Sequence, residues 1–211
     1  MSESSRAEVC AAAIADAFRD DGEIFASPMG MLPMLGVRLA KLTSNPDLVI
    51  SDGEALFLAG GPPLFAKADK VEGWIPFPKV FDVVAHGKRH VMMGATQIDR
   101  HGNQNISAIG DFAQPKRQLL GSRGAPGNTV NNRTSYWVPK HSPRVFVEQV
   151  DMVCAVKGAG KTMDLVKGAF LFQQRAEGSA DAAGRADDDR SAAHDRTNRH
   201  WSALLSAASK R

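Results

Sequence analysis

Hydrophobic and polar positions follow two alternating rhythms along the first half of the chain. Ser5-Arg6-Ala7-Glu8 has the spacing of a capping box, in which a hydroxyl and a carboxylate satisfy the orphan amides of a helix start. An Ala-rich helix carrying Val9, Ile14 and Phe18 is predicted to follow and to end near Gly22. Glu23 to Ala26 reads as a short strand running into the turn-rich Ser27-Pro28-Met29-Gly30. Leu32, Leu35, Leu39 and Leu42 then recur at helical spacing, and Leu48 to Ile50 forms a second short apolar strand that opens onto Ser51-Asp52-Gly53-Glu54.

The middle of the chain repeats this grammar. A short helix is predicted around Val80 to Ala85 and a strand from His90 to Ile98, followed by a loop dense in Gly and Asn from Asp99 to Asn105. Residues 121 to 134 form a second dense loop, and Arg144 to Val153 reads as a long strand in which Val and Phe alternate with polar neighbours. Helix and strand alternate throughout, so the expected class is α/β: an open, mostly parallel sheet with flanking helices. Ligands of such sheets collect at the carboxyl ends of the strands, where the connecting loops gather.

The texture changes after Val153. From Arg175 to His200 the only apolar side chains are Ala, set among Asp187-Asp188-Asp189 and scattered Arg, a composition that cannot offset its ordering entropy. The expected organisation is therefore an α/β domain over 1–153 and a largely disordered tail over 154–211. A short helix is expected at Trp201 to Ala208.

Composition locates the same seam. The 211 residues hold 26 Lys plus Arg against 23 Asp plus Glu, for a net charge of +3, and the pI is about 9.0. Residues 154–211 contain 10 of the basic and 7 of the acidic side chains, which leaves 16 of each in the first 153 residues. A neutral body argues against a phosphate-tracking groove, so nucleic acid is not an expected partner. Cys10 and Cys154 lie far apart without ligand spacing, which suits a reducing compartment. Glu8, Asp16, Arg19 and Asp20 interrupt any signal-peptide pattern, and no apolar run approaches a membrane span. The expectation is a soluble, cytoplasmic protein without a membrane partner.

Several motifs invite chemistry. Ala155 through Gly160-Lys161-Thr162 satisfies a relaxed phosphate-loop pattern, but such a loop needs an acid on a second strand for Mg²⁺, and nothing after Thr162 reads as a strand. A Gly-containing helix start is the plainer reading. His86 and His90 are four apart but lack a carboxylate or Cys to complete a ligand set, so they read as surface histidines and no metal is expected. The two Gly-Asn loops combine glycine freedom with amide side chains, and Gly121-Ser122-Arg123-Gly124-Ala125 could bring backbone amides to a thioester or carboxylate oxygen. The residues alone leave structural turns and a ligand site both open there. The same holds for Lys116, Arg117, Arg123 and Arg133, which suit either an anionic ligand or solvent.

The run from Gly94 through Asp99-Arg100-His101-Gly102-Asn103-Gln104-Asn105 to Gly110-Asp111, together with Pro115-Lys116 and Gly121 to Ala125, resembles the β subunit of class I, glutaconate-type coenzyme A transferases. The likeness spans roughly residues 20 to 153. Ser27-Pro28-Met29, Ser51 to Ala55, Glu72 to Phe77 and Thr134 to Val138 further resemble the steroid ring-cleaving branch of that family. The resemblance implies a CoA-transferase β-subunit type of α/β fold. It also implies an α subunit as partner in a heterodimer or heterotetramer, and coenzyme A as part of the thioester substrate rather than as a resident cofactor.

Transferases of this type carry a nucleophilic Glu in a Glu-Ser-Gly turn, where this chain reads Ser51-Asp52-Gly53. Without that carboxylate the covalent shuttle cannot run in its usual form, because a Ser needs an activating base. Glu54 is a weak substitute three positions on. The ring-cleaving relatives share the loss and are thought to use a carboxylate of the α subunit. The resemblance thus implies an acyl pocket shaped by Ser27, Met29, Ser51 and Glu54, with oxyanion or CoA contacts from Asn103, Asn105 and Gly121, Ser122, Arg123, Gly124 and Ala125. A transferase subunit is the alternative, and a non-catalytic or truncated product a further one. After Val153 the relatives continue with a Ser-Gly turn and more α/β structure, so a frame shift or truncation is expected here, against a truly diverged tail.

Overall fold

The computed structural model describes residues 5–52, 55–67, 69–138 and 142–155, and the backbone of 162–165 and 171–175. In chain order the first elements are α1 (Arg6–Ala17), β1 (Phe25–Pro28), α2 (Met31–Leu42), β2 (Ile50–Ser51), β3 (Leu56–Leu58), β4 (Val71–Trp74) and α3 (Lys79–His86). β5 (Arg89–Gly94), β6 (Gln97–Ile98), β7 (Gln104–Asn105), β8 (Ala108–Ile109) and β9 (Arg117–Gln118) follow. α4 (Ala125–Asn131), β10 (Arg133–Trp137), β11 (Thr162–Leu165) and β12 (Leu171–Arg175) complete them.

The capping box forms as expected: Ser5 Oγ accepts from the Glu8 amide and the Ser5 amide donates to Glu8 Oε2 at 2.7 Å. α1 stops at Ala17, a turn short of Gly22, with Ile14 and Phe18 buried and Val9 exposed. α2 forms where the leucine periodicity puts it, but it buries a different face. Pro33, Gly36, Val37 and Ala40 face inward, while Leu35, Leu39 and Leu42 stay exposed. The reason is close helix packing: a Cβ on Gly36 would lie 2.3 Å from Ile14 Cγ2, so α1 approaches over small residues and the leucines turn outward.

The central sheet has the order β1-β5-β10-β12-β11. β1, β5 and β10 are parallel, and β12 and β11 add antiparallel strands at the β10 edge. A parallel bridge from Phe25 to Val49 brings β2 alongside the opposite edge, from which β3 and β4 continue as an antiparallel meander. Alternation along the strands divides the core into two layers. Ala26, Ile50 and Met92 pack against α1 and α2, whereas Val91, Met93 and Tyr136 pack with Ile98, Ala125 and Phe146 on the other side.

The expected α/β class with a parallel sheet holds, and five local expectations are corrected. The strand predicted over His90–Ile98 breaks after Gly94, because the Thr96 amide turns to the Asn105 carbonyl and β6 starts a separate hairpin with β7. The loop predicted over 121–134 contains α4 and the start of β10; Pro126 in the first turn needs no amide partner there, and Thr129 Oγ1 donates back to the Ala125 carbonyl. Arg144–Val153 is not a strand. The Val145 and Phe146 amides both donate to the Ser142 carbonyl, forming a tight turn, and only a single bridge joins Phe146 to Ile98. His90 is fully buried rather than at the surface. Thr162, read as the approach to a helix, opens β11 instead. The run from 176 onward, with its expected disorder and terminal helix, lies outside the described residues, as do Gly53 and Glu54.

Candidate active site at the carboxyl ends of the parallel strands

Four parallel segments end on the same side of the sheet and carry the candidate residues there. The Phe25–Val49 bridge sets the register of β1 against β2, so two residues further along each chain Ser27 and Ser51 stand at neighbouring positions. Both are half-buried. Phe57 pairs across from Ser51 and meets the Phe25 ring edge-on at a centroid distance of 5.4 Å, which closes the lower side of this slot.

Met29 follows β1 and is 44% exposed. Its backbone is held from both sides: the amide donates to the Met92 carbonyl at 2.8 Å, and its carbonyl accepts Trp137 Nε1 at 3.0 Å. Gly30 has φ of 116°, and a Cβ there would come within 3.0 Å of the Trp137 ring. The Ser-Pro-Met-Gly turn is therefore fixed by β10, leaving the Met29 side chain presented outward.

The two Gly-Asn loops meet. The Gly121 amide donates to the Ile106 carbonyl and the Leu119 amide to the Ser107 carbonyl, which joins the second loop to the β6–β7 hairpin. Within the hairpin Asn105 is fully buried, and its side chain is spent internally. Nδ2 donates to Gln97 Oε1 and to the Ala108 carbonyl, both at 2.7 Å, while Oδ1 accepts from the Ser107 amide at 3.0 Å. It holds the loop together. Asn103 is half-buried and donates Nδ2 to Asp99 Oδ2 at 2.9 Å. Of the expected backbone donors, the Gly121 and Ala125 amides are occupied, the latter by the Ser122 carbonyl. Arg123 takes a positive φ of 50° in this turn.

Residues that the pattern did not single out connect the loops to the slot. Arg89 is only 7% exposed; its Nη2 donates to Ser27 Oγ at 2.6 Å and its Nη1 to Asn128 Oδ1 of α4 at 2.8 Å. Burial lowers its pKa from the ordinary arginine value. A lone Arg at the start of a strand has no sequence signal; only the fold brings it under Ser27.

The opposite face of the sheet holds a buried constellation of a different kind. Ser135 Oγ lies 2.7 Å from His90 Nε2, and His90 Nδ1 lies 2.5 Å from Asp21 Oδ2, with the Phe18 ring stacked on the imidazole at 4.1 Å. Asp21 also receives Arg133. The order Ser, His, Asp is that of an acyl-transfer triad, yet all three side chains are sealed among core residues and have no access for a substrate. They tie α1, β5 and β10 together. Among the described residues no group of three His, Cys, Asp or Glu gathers to hold a metal. No helix of the described residues is long and apolar enough to cross a membrane.

The chain resembles known proteins in sequence and in fold. It is 62% identical over 156 residues to the cholesterol ring-cleaving hydrolase IpdB subunit of Rhodococcus jostii (strain RHA1), a match that covers 74% of this chain and 61% of the relative. The IpdB subunit of Mycobacterium bovis is 55% identical over 155 residues, covering 72% and 62%. The crystal structure of the Rhodococcus IpdAB superposes with a TM-score of 0.71 over 74% of this chain and 62% of that one. Over the matched stretch the chain is similar to IpdB subunits. Glutaconate coenzyme A-transferase from Acidaminococcus fermentans shares the fold at 21% identity and a TM-score of 0.57. No family model matches the chain. The chain spans about three fifths of the length of the IpdB subunits that it matches.

Proposed function

We propose that this chain is the β subunit of a heteromeric hydrolase that opens the last steroid rings of cholesterol breakdown, carried as a CoA thioester. The observation that carries the reading is the 62% identity to an IpdB subunit. The slot itself agrees with it: Ser51 stands beside Ser27, where CoA transferases present their Glu, and Asp52 next to it has Oδ1 accepting from the Leu56 amide. A subunit without that carboxylate needs a partner that brings one. The partner is an α subunit whose Glu activates water, and the assembly acts in the cytoplasm. Coenzyme A enters as part of the substrate.

The chemistry is a retro-Claisen cleavage. Water gives its proton to the partner's carboxylate and the hydroxide forms a C–O bond at a ring ketone. The ring C–C bond then breaks, its electron pair becomes an enolate that takes up the proton, and the former ketone carbon stays in the opened molecule as its new carboxylic acid. Negative charge sits on oxygen in both stages, so donors aimed at those oxygens lower the barrier. In this reading Ser27 and Ser51 shape the acyl end, Met29 lines it, and the Ser122 to Gly124 amides with Asn103 receive oxyanion or CoA oxygens.

Co-expression with an α-like subunit, followed by assay on a steroid-derived CoA diketone, tests the reading. Ring-opened acid is the expected product. Transfer of CoA to a carboxylic acid, with a glutamyl adduct trapped by hydroxylamine, would show a transferase instead.

A further inference from the structure

Arg89 is a buried cation with no acid beside it among the described residues. Among the described residues it makes no ion pair, its guanidinium carbon stands 5.9 Å from the centre of the Phe25 ring, and Nε is buried without a hydrogen-bond partner. Burying an uncompensated charge is costly, so a purely structural tie between β1, β5 and α4 would be served better by a neutral side chain. The two hydrogen bonds that Arg89 does make are directional: one to Asn128, which steadies it from α4, and one at 2.6 Å to Ser27 Oγ.

We propose that Arg89 is a positioning residue that polarises the Ser27 hydroxyl into a donor for the substrate oxygen on which negative charge builds. The inference rests on the ring-opening reading of the same site. By donating to Ser27 Oγ, Arg89 occupies a lone pair and leaves the hydroxyl its own proton to give. That proton has no acceptor among the described residues, and Ser27 is half-buried, so it remains within reach of a ligand. At 7% exposure Arg89 is shielded from water, and its charge acts on Ser27 with little screening. The register places this donor beside Ser51. When the C–C bond breaks, the electron pair moves onto the enolate oxygen; a hydroxyl backed by a cation strengthens its hydrogen bond as that charge appears.

The test uses the complex with the α subunit and two independent readouts. In the first, Ser27→Cys replaces the hydroxyl by a thiol whose ionisation reports the local field, read as the rate of alkylation by iodoacetamide against pH. Wild type supplies the background from the buried Cys10 and Cys154. A thiolate fraction about tenfold or more above that of an ordinary thiol near neutral pH is expected. Adding Arg89→Gln should abolish the excess, and Arg89→Lys should keep part of it. An alkylation profile unchanged by either substitution overturns the proposal.

The second readout is turnover of the CoA diketone. Ser27→Ala and Arg89→Gln should each lower kcat by about a hundredfold with little change in KM, and the double variant should lose no more than the worse single one. Additive losses overturn the proposal. Should Arg89→Gln fail to fold, Arg89→Lys takes its place, with Ser27→Ala/Arg89→Lys expected to match Ser27→Ala. If the wild-type complex opens no ring, the hydrolase reading falls, and the thiol titration still decides whether Arg89 polarises position 27.

Discussion

His90 Nδ1 and Asp21 Oδ2 lie 2.5 Å apart in the interior, joining the start of β5 to the turn after α1. His90 is fully buried and is faced by Ser135 on β10 and by the charges of Asp21 and Arg133. Burial is the main influence and lowers the His90 pKa below its ordinary value, outweighing the opposite pull of Asp21.

This pair predicts an acid-sensitive fold. The unfolded chain takes up a proton on His90 as the pH drops through about 6.5, whereas the folded chain with its depressed pKa does not, so stability is full above that pH and is lost below it. The loss should approach about 1 kcal/mol per pH unit below 6.5. Urea unfolding at pH 7.5 and 5.5 measures it, with His90→Gln as the comparison; an equal pH dependence in that variant would assign the effect to another group.

Gly36 marks the closest crossing of α1 and α2. A Cβ would meet Ile14 Cγ2 at 2.3 Å and the Ala11 carbonyl at 3.0 Å. Gly36→Ala should therefore destabilise by about 1–3 kcal/mol, although Ala is the better helix former. A rise in Tm would show that the helices can separate at no cost.

Asn105 and Asn103 come from one motif but should respond differently. Asn105→Ala removes the donor to Gln97 and Ala108 and the acceptor for Ser107, all in the interior, and should cost about 2 kcal/mol or more. Asn103→Ala, at a half-buried position, should cost about 1 kcal/mol or less and act mainly on KM for the CoA thioester. Denaturation and steady-state kinetics on the two variants separate a loop organiser from a ligand contact.

Ser51→Glu tests the slot directly. A carboxylate there would lie beside Ser27 and within the reach of the substrate's developing charge, and ring opening should drop at least about tenfold through like-charge repulsion. Undiminished hydrolase activity would remove Ser51 from the acyl pocket.

Much of this molecule is legible in the short-range patterns of its sequence. The capping box at Ser5–Glu8, the two N-terminal helices, α3 and the alternating α/β order follow from short-range rules, because caps and helical periods are set within a few residues. The motif residues at Ser27, Ser51 and Asn103 to Asn105 were visible for the same reason: each lies in a compact run. What local rules missed were elements whose stability comes from afar. α4 is built from Ala-Pro-Gly-Asn-Thr-Val-Asn, a poor helix by propensity, and it is held by Asn128 on Arg89 and by Asn132 donating to the Val84 carbonyl. The leucines of α2 show the converse, a clear period whose buried face was decided by the fit of Gly36 against Ile14.

The sequence by itself determined the capped first helix, the helical period of α2, the short α3 and which family the body resembles, since propensity, capping and compact motifs need no partner across space. Only the tertiary structure decided what the residues do to one another. It buried His90 against Asp21, consumed Asn105 inside its hairpin, and brought Arg89 beneath Ser27 across 62 residues of chain. Those outcomes depend on sheet register and on the cost of leaving a buried polar group or charge unpaired, which no local window of sequence can express.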